Sequence, residues 1–300
     1  MSLSALSFYF PKSKSVFNPF NAAKENRMKS SYFILVFIAS FFSMVSVAQG
    51  DLLLYPKRIV FEGSKKSQVL NIANTGKDTV RYFISVVQMR MKEDGGFETI
   101  TQPDSAQYFA DKNFRFFPRS VVLGPNESQT VKMQLINSNQ LAAGEYRSHL
   151  YFRAEPEKKP LGEEESVKDS SSISVQLVAV FGISIPVIIR TGEKNTSVTF
   201  SDLSVKEQDS TTVLKVTLHR TGNMSVYGDI FIDHVTTEGR ITRVGMAKGM
   251  AIYTPNNLRY FNLPLDKPAG ISLNTGKLKI SYSTPRDSKS EKIAETEIIL

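Results

Sequence analysis

The stretch Ile173-Ser174-Val175-Gln176-Leu177-Val178-Ala179-Val180-Phe181-Gly182-Ile183-Ser184-Ile185-Pro186-Val187-Ile188-Ile189-Arg190 decides the fold. Every odd-numbered position in it is apolar: Ile173, Val175, Leu177, Ala179, Phe181, Ile183, Ile185, Val187 and Ile189. The positions between them are a mixed set. Strict alternation is the signature of an extended strand with one wholly apolar face. At about 3.3 Å per residue such a strand spans roughly 55–60 Å, about three times the usual length. One sandwich core does not need so much strand. Two readings follow. Either this is two consecutive strands, bent at Gly182 or Pro186 on the way into a second domain, or part of the apolar face is kept for another protein that docks along the edge by β-strand addition.

The text on either side is also strands and turns. Leu52 to Phe61, Gln68 to Ala73 and Val80 to Met91 are rich in Val, Ile, Phe and Tyr. Turn residues separate them at Gly63-Ser64, Asn74-Thr75-Gly76 and Asp94-Gly95-Gly96. Phe114 to Val122, Gln129 to Leu135 and Tyr146 to Ala154 follow, with Gly124-Pro125-Asn126 as a further turn. Arg115, Arg119 and Lys132 lie among Phe114, Phe116 and Phe117, but alternation assigns these phenylalanines to the interior rather than to stacked bases. Residues 155–172 are charged, Ser-rich and poor in apolar residues, which reads as a loop delivering the chain into the long strand. Beyond a boundary at Thr191 to Lys194, the second half reads as short strands at Thr196–Phe200, Val213–His219, Gly228–Asp233, Gly249–Tyr253, Tyr260–Leu263, Gly276–Ser283 and Ala294–Leu300. The expected fold is all-β, two immunoglobulin-like β-sandwich domains in tandem over 49–190 and 191–300.

The amino end belongs to neither. Lys24, Arg27 and Lys29 precede an apolar run from Tyr32 to Val47, and Ser46-Val47-Ala48 has the small-x-small form of a signal-peptidase site. Sixteen apolar-run residues fall short of the ~20 of a spanning helix. Residues 1–48 therefore read as a cleaved signal peptide with a prefix, Met28 being a candidate start, and the mature chain as exported; the periplasm as its destination is what the resemblance given below implies. Removing the leader's five basic residues and one acid from 37 and 29 leaves 32 and 28, net +4 instead of +8. So modest a charge gives no argument for nucleic acid. There is no cysteine, hence no disulfide framework and no thiolate chemistry. His149, His219 and His234 lack metal-ligand spacing and read as strand residues with satisfied rings. No GxSxG, Walker or GxGxxG pattern occurs, so the reading is not an enzyme and needs no cofactor and no small-molecule substrate.

Four segments then resemble, in order, the periplasmic pilus chaperones, the PapD-like family of chaperone–usher systems. They are Lys57-Arg58-Ile59-Val60-Phe61-Glu62-Gly63-Ser64, Leu70-Asn71-Ile72-Ala73-Asn74-Thr75-Gly76, the run Phe117 to Val131, and Gly144-Glu145-Tyr146-Arg147-Ser148 to Pro156. The second half carries a weaker echo in Arg220-Thr221-Gly222-Asn223 and Tyr227-Gly228. The resemblance implies two immunoglobulin-like domains in a boomerang, and a function. The chain would cap a pilin or fimbrial subunit by donor-strand complementation and deliver it to an outer-membrane usher, with a self-capping dimer as a free form. On this resemblance the donated side chains are Ile173, Val175, Leu177, Ala179 and Phe181. The family holds the subunit's C-terminal carboxylate between an arginine and a lysine. Arg58 stands at the arginine position, and a guanidinium can grip a carboxylate with two parallel hydrogen bonds. At the lysine position stands Ser184, with Arg190 or Lys57 as substitute bases. The other class of protein compatible with the residues is a structural envelope protein of two such domains, with the long strand consumed internally.

Overall fold

The computed structural model describes residues 52–155, 180, 182–209, 211–268, 271–285 and 290–300. The candidate donor residues Ile173, Val175, Leu177, Ala179 and Phe181, and the leader at 1–48, lie outside the described residues.

The first eleven strands are β1 (Leu52–Tyr55), β2 (Ile59–Phe61), β3 (Ser67–Asn74), β4 (Val80–Val87), β5 (Met89–Met91), β6 (Phe97–Thr99), β7 (Phe114–Phe117), β8 (Ser120–Leu123), β9 (Ser128–Leu135), β10 (Gly144–Ala154) and β11 (Gly182–Thr191). They make one sheet in the order β1-β3-β9-β7 and a second in the order β2-β11-β10-β4-β8, with β5 and β6 as a separate hairpin. Strand alternation turns Leu70, Ile72, Val131 and Met133 from the first sheet onto Ile59, Phe61, Leu150, Phe152 and Val187 from the second. Each such side chain buried contributes roughly 1.5–3 kcal/mol before ordering costs.

The seven strands of the second half are β12 (Thr196–Gln208), β13 (Thr211–Gly222), β14 (Val226–Val235), β15 (Ile241–Ile252), β16 (Leu258–Pro264), β17 (Lys277–Ser283) and β18 (Lys292–Ile299). Sheets β12-β13-β16 and β15-β14-β17-β18 close over Leu214, Leu218, Ile230, Ile232, Leu278, Ile280 and Tyr282. The all-β architecture of two sandwiches in tandem is thus the one the alternation implies. The chain turns between them at Gly192, and Gly222 of β13 packs closely on the chain entering β12. At φ +93° the backbone of Gly222 is left-handed, and a Cβ there would lie 1.6 Å from the Asn195 carbonyl oxygen.

Three expectations need correction. The long strand does not bend at Pro186: β11 runs from Gly182 to Thr191 in unbroken register with β10, Pro186 facing His149. Pro186 sits one residue before the parallel ladder to β2 begins at Val187, a position where a missing N–H breaks no rung on that side. The phenylalanines do not all face inwards. Phe114 and Phe116 are buried but Phe117 is 74% exposed, because adjacent residues of a strand point to opposite faces. The histidines are on strands, yet Nδ1 of His149 and of His234 has no hydrogen-bond partner among the described residues, so these rings are not fully satisfied.

Candidate functional site

Strand β11 has two different faces. Ile185, Val187 and Ile189 fill the first sandwich core, whereas Ile188 is fully buried in a separate cluster with Met91, Ala251 and Tyr253. The even-numbered side of β11 therefore looks at the second sandwich. Register aligns this side with the odd-numbered side of β10, pairing Arg190 with Glu145, Ile188 with Arg147, Pro186 with His149 and Ser184 with Tyr151. Charged and polar groups from two strands thus collect where the sandwiches meet.

At one end of this line a polar knot is closed. Glu145 accepts from Arg190 Nε at 3.0 Å and from the Ser225 backbone N–H at 3.0 Å, and the Ser225 hydroxyl donates to its other oxygen. Arg190 Nη2 donates to the Ser225 carbonyl at 2.9 Å, and Nη1 lies 3.6 Å from a Glu62 oxygen. Arg190 is fully engaged. Arg190, one of the two substitute bases offered for the family lysine, thus already has a buried carboxylate as its partner across the strand pair.

At the other end the charges are open. A cavity of about 340 Å³ is lined by Lys57, Arg58, Ser184, Tyr227, Tyr253 and Arg259, among others. Both sequence-predicted anchor residues, Arg58 and Ser184, thus line one pocket. The Arg58 guanidinium lies 4.1 Å from the centre of the Tyr227 ring, and its Nε has no hydrogen-bond partner among the described residues. Ser184 is directed elsewhere, its hydroxyl approaching Met89 Sδ at 3.6 Å. Lys57, the other proposed substitute, is on the pocket wall. His149 is on the wall too, and burial, helped by the neighbouring Arg147 charge, lowers its pKa to about 3, so the ring is neutral at pH 7. A larger open groove of about 870 Å³, lined in part by Tyr55, Lys57, Arg58, Tyr227, Phe231 and Lys248, adjoins the cavity.

Sequence reading missed Arg259. It stands on β16, opposite Leu218 of β13, and its Nε and Nη1 are buried without partners among the described residues. No local motif flags it, since it is brought to the pocket by a contact between sandwiches. The β5–β6 hairpin supplies that contact: the Tyr260 N–H donates to the Glu93 carbonyl at 2.8 Å, and Asn256 Nδ2 to the Met91 carbonyl at 2.7 Å. Gly95, at the hairpin tip, makes room for the guanidinium; a Cβ there would meet Arg259 Nη1 at 1.7 Å.

The edge above the pocket is also distinctive. Strand β2 pairs with β11 only from Val187 to Ile189, so on that side Gly182 to Pro186 have no partner strand among the described residues. Val180, just upstream, is 45% exposed.

No family model and no curated protein matches the sequence. Among solved structures the chain is similar to the YadV chaperone, with 12% identity, a TM-score of 0.42, and coverage of 83% of this chain and 100% of that one. It is likewise similar to the Pseudomonas aeruginosa CupB2 chaperone, at 12% identity and a TM-score of 0.41 over 83% of this chain and 100% of that one. A third is the CsuC–CsuE chaperone–tip subunit pre-assembly complex of Acinetobacter baumannii, at 14% identity and a TM-score of 0.40 over 81% of this chain and 98% of the other. These are likenesses of fold.

Proposed function

We propose that the chain is a periplasmic chaperone that captures fimbrial subunits by lending them the edge strand Ile173–Phe181, holds the subunit's C-terminal carboxylate in the pocket at Arg58, and passes the subunit to an outer-membrane usher. One observation carries the reading. On the side of β11 that carries β2, Gly182 to Pro186 have no partner strand among the described residues, and the alternating apolar sequence continues upstream of them. An unpaired edge is the template on which another chain can add a strand, with main-chain hydrogen bonds giving affinity and alternate side chains giving specificity. Ser184 and Pro186 of this edge line the same pocket as Arg58, which supports placing the anchor there. Each donated side chain such as Val175, Leu177 or Phe181 contributes roughly 1.5–3 kcal/mol before ordering costs. No cofactor or nucleotide enters this scheme.

The test is co-purification of the tagged chain from its own periplasm with partners identified by mass, beside Leu177→Glu and Arg58→Ala. A small β-rich protein that copurifies with the unmodified chain and is released by both changes supports strand donation with the anchor. Release by Leu177→Glu alone keeps the donated strand and moves the anchor. If nothing copurifies and Leu177→Glu unfolds the first sandwich, the strand is core and the chain is a structural envelope protein instead.

A further inference from the structure

We infer that Arg259, from the second sandwich, takes the place of the lysine absent at Ser184, so that a carboxylate is held between Arg58 and Arg259 across the two sandwiches. This rests on the chaperone reading above and names the second half of its anchor.

The argument starts from cost. A guanidinium buried without a hydrogen-bonding anion loses hydration and gains little in return. Arg58 Nε, Arg259 Nε and Arg259 Nη1 are three such unsatisfied donors, and both residues line the same cavity. Arg147, stacked 4.4 Å from the centre of the Tyr253 ring behind the wall, leaves two more donors, Nε and Nη1, without partners among the described residues. None of the residues lining the cavity is an Asp or a Glu. The nearest acidic influence on Arg259 is Asp94, an exposed side chain already held by the Gly96 N–H at 2.7 Å and facing Lys92 at 3.6 Å. Burial pulls the Arg259 pKa down, with Asp94 and Tyr282 opposing the shift only in part. Arginine nevertheless stays charged. A small aromatic-walled pocket that, among the described residues, is rich in unpaired donors, has no acid in its lining and borders a strand edge without a partner fits the terminal carboxylate of a docked polypeptide. Arg259 is placed for this by Gly95, whose missing side chain leaves room for the guanidinium.

The test has two arms on the purified full chain. Calorimetric titration with acetate and with inorganic phosphate, at matched ionic strength, compares the unmodified chain with Arg58→Gln, Arg259→Gln, Arg259→Lys and Gly95→Ala. Acetate binding is expected to weaken about tenfold in each glutamine variant, as loss of one charged hydrogen-bond donor group implies. Arg259→Lys is expected to retain most of the affinity, and Gly95→Ala to lose it although both guanidinium groups remain. Unchanged acetate affinity in Arg259→Gln overturns the inference, as does phosphate binding more tightly than acetate, which would assign the pocket to a free oxyanion. The second arm is co-purification. A subunit released by Leu177→Glu but retained in full by Arg259→Gln leaves the chaperone reading standing and removes Arg259 from it. Acetate binding that needs both arginines, with no subunit recovered, leaves the two-arginine site standing and removes the chaperone reading.

Discussion

Glu145 shows what a single residue does at the join. Its side chain has no exposure, and its two oxygens take hydrogen bonds from Arg190, Ser225 and Thr254. Breaking a buried pair by removing one partner costs about 3–5 kcal/mol, because the survivor keeps its charge without hydration. Arg190→Ala is therefore expected to lower the urea midpoint more than Glu145→Ala. Glu145 cannot reach water once stranded, whereas Arg190 is 12% exposed and retains Glu62 at 3.6 Å. His149 gives a pH effect with a defined sign. Its ordinary pKa of 6.5 falls to about 3 in the fold, through burial first and the Arg147 charge second. Above pH 6.5 both folded and unfolded rings are neutral and stability is intact. As pH drops below 6.5 the unfolded chain binds a proton that the folded ring refuses, so stability is lost down to about pH 3. Between pH 6.5 and about 5 the unmodified chain should lose more stability than His149→Phe in urea titrations, on the order of 1–2 kcal/mol. The proposed anchor residue Arg58 was singled out in the sequence because it stands in a recognisable segment. Arg259 and Gly95 were not: one lies 164 positions beyond the other, and only the contact between sandwiches makes them neighbours.

At the scale of the element, β11 joins two tasks along one alternating run. Its odd-numbered side chains from Ile185 onward are core, while the edge that has no partner strand among the described residues, with the sequence upstream of it, is the part proposed to serve a partner. Two substitutions of identical chemistry should therefore behave differently. Ile185→Glu places a carboxylate at a position only 4% exposed and should abolish cooperative folding of the first sandwich. If Leu177 is donated to a partner as proposed, Leu177→Glu should leave the thermal transition within about 2 °C of the unmodified chain while removing any copurifying subunit, since changes outside a core seldom exceed about 0.5 kcal/mol. A matching loss of stability in both would place Leu177 in the core and end the donor reading. Period-two alternation predicted most strands because burial on one face is a sequence-local demand. It failed where that demand is relaxed. The expected Thr196–Phe200 extends to Gln208 through a register shift between Ser201 and Ser204, where Asp202 has φ +52°. Likewise β15 begins at Ile241 rather than Gly249, for Ile241 is 66% exposed and Gly245 and Gly249 interrupt the apolar pattern. A bulge or a glycine costs the alternation its phase without ending the strand.

For the whole molecule the decisive quantity is how firmly the two sandwiches are held, because each side of the inferred pocket comes from a different one. The join is small but continuous. Ile188 is fully buried against Ala251 and Tyr253, the Glu145 knot lies beside it, and the β5–β6 hairpin bonds backbone to backbone with β16. Linked in this way, the two cores should unfold together, giving one calorimetric transition whose measured and van't Hoff enthalpies agree. Ile188→Lys buries an ammonium in the join opposite the buried Arg147 guanidinium while leaving both cores untouched. It should split the transition into two, the first sandwich and the second each melting on its own core. The same variant should also weaken acetate binding, though Ile188 is not among the residues that line the pocket, because the arginine on β16 then no longer stands at a fixed distance from the one before β2. A single transition with acetate affinity intact would mean that the sandwiches are held by the hairpin alone. The aromatic cluster around Tyr253 would then be packing, and no part of the anchor's geometry would depend on it.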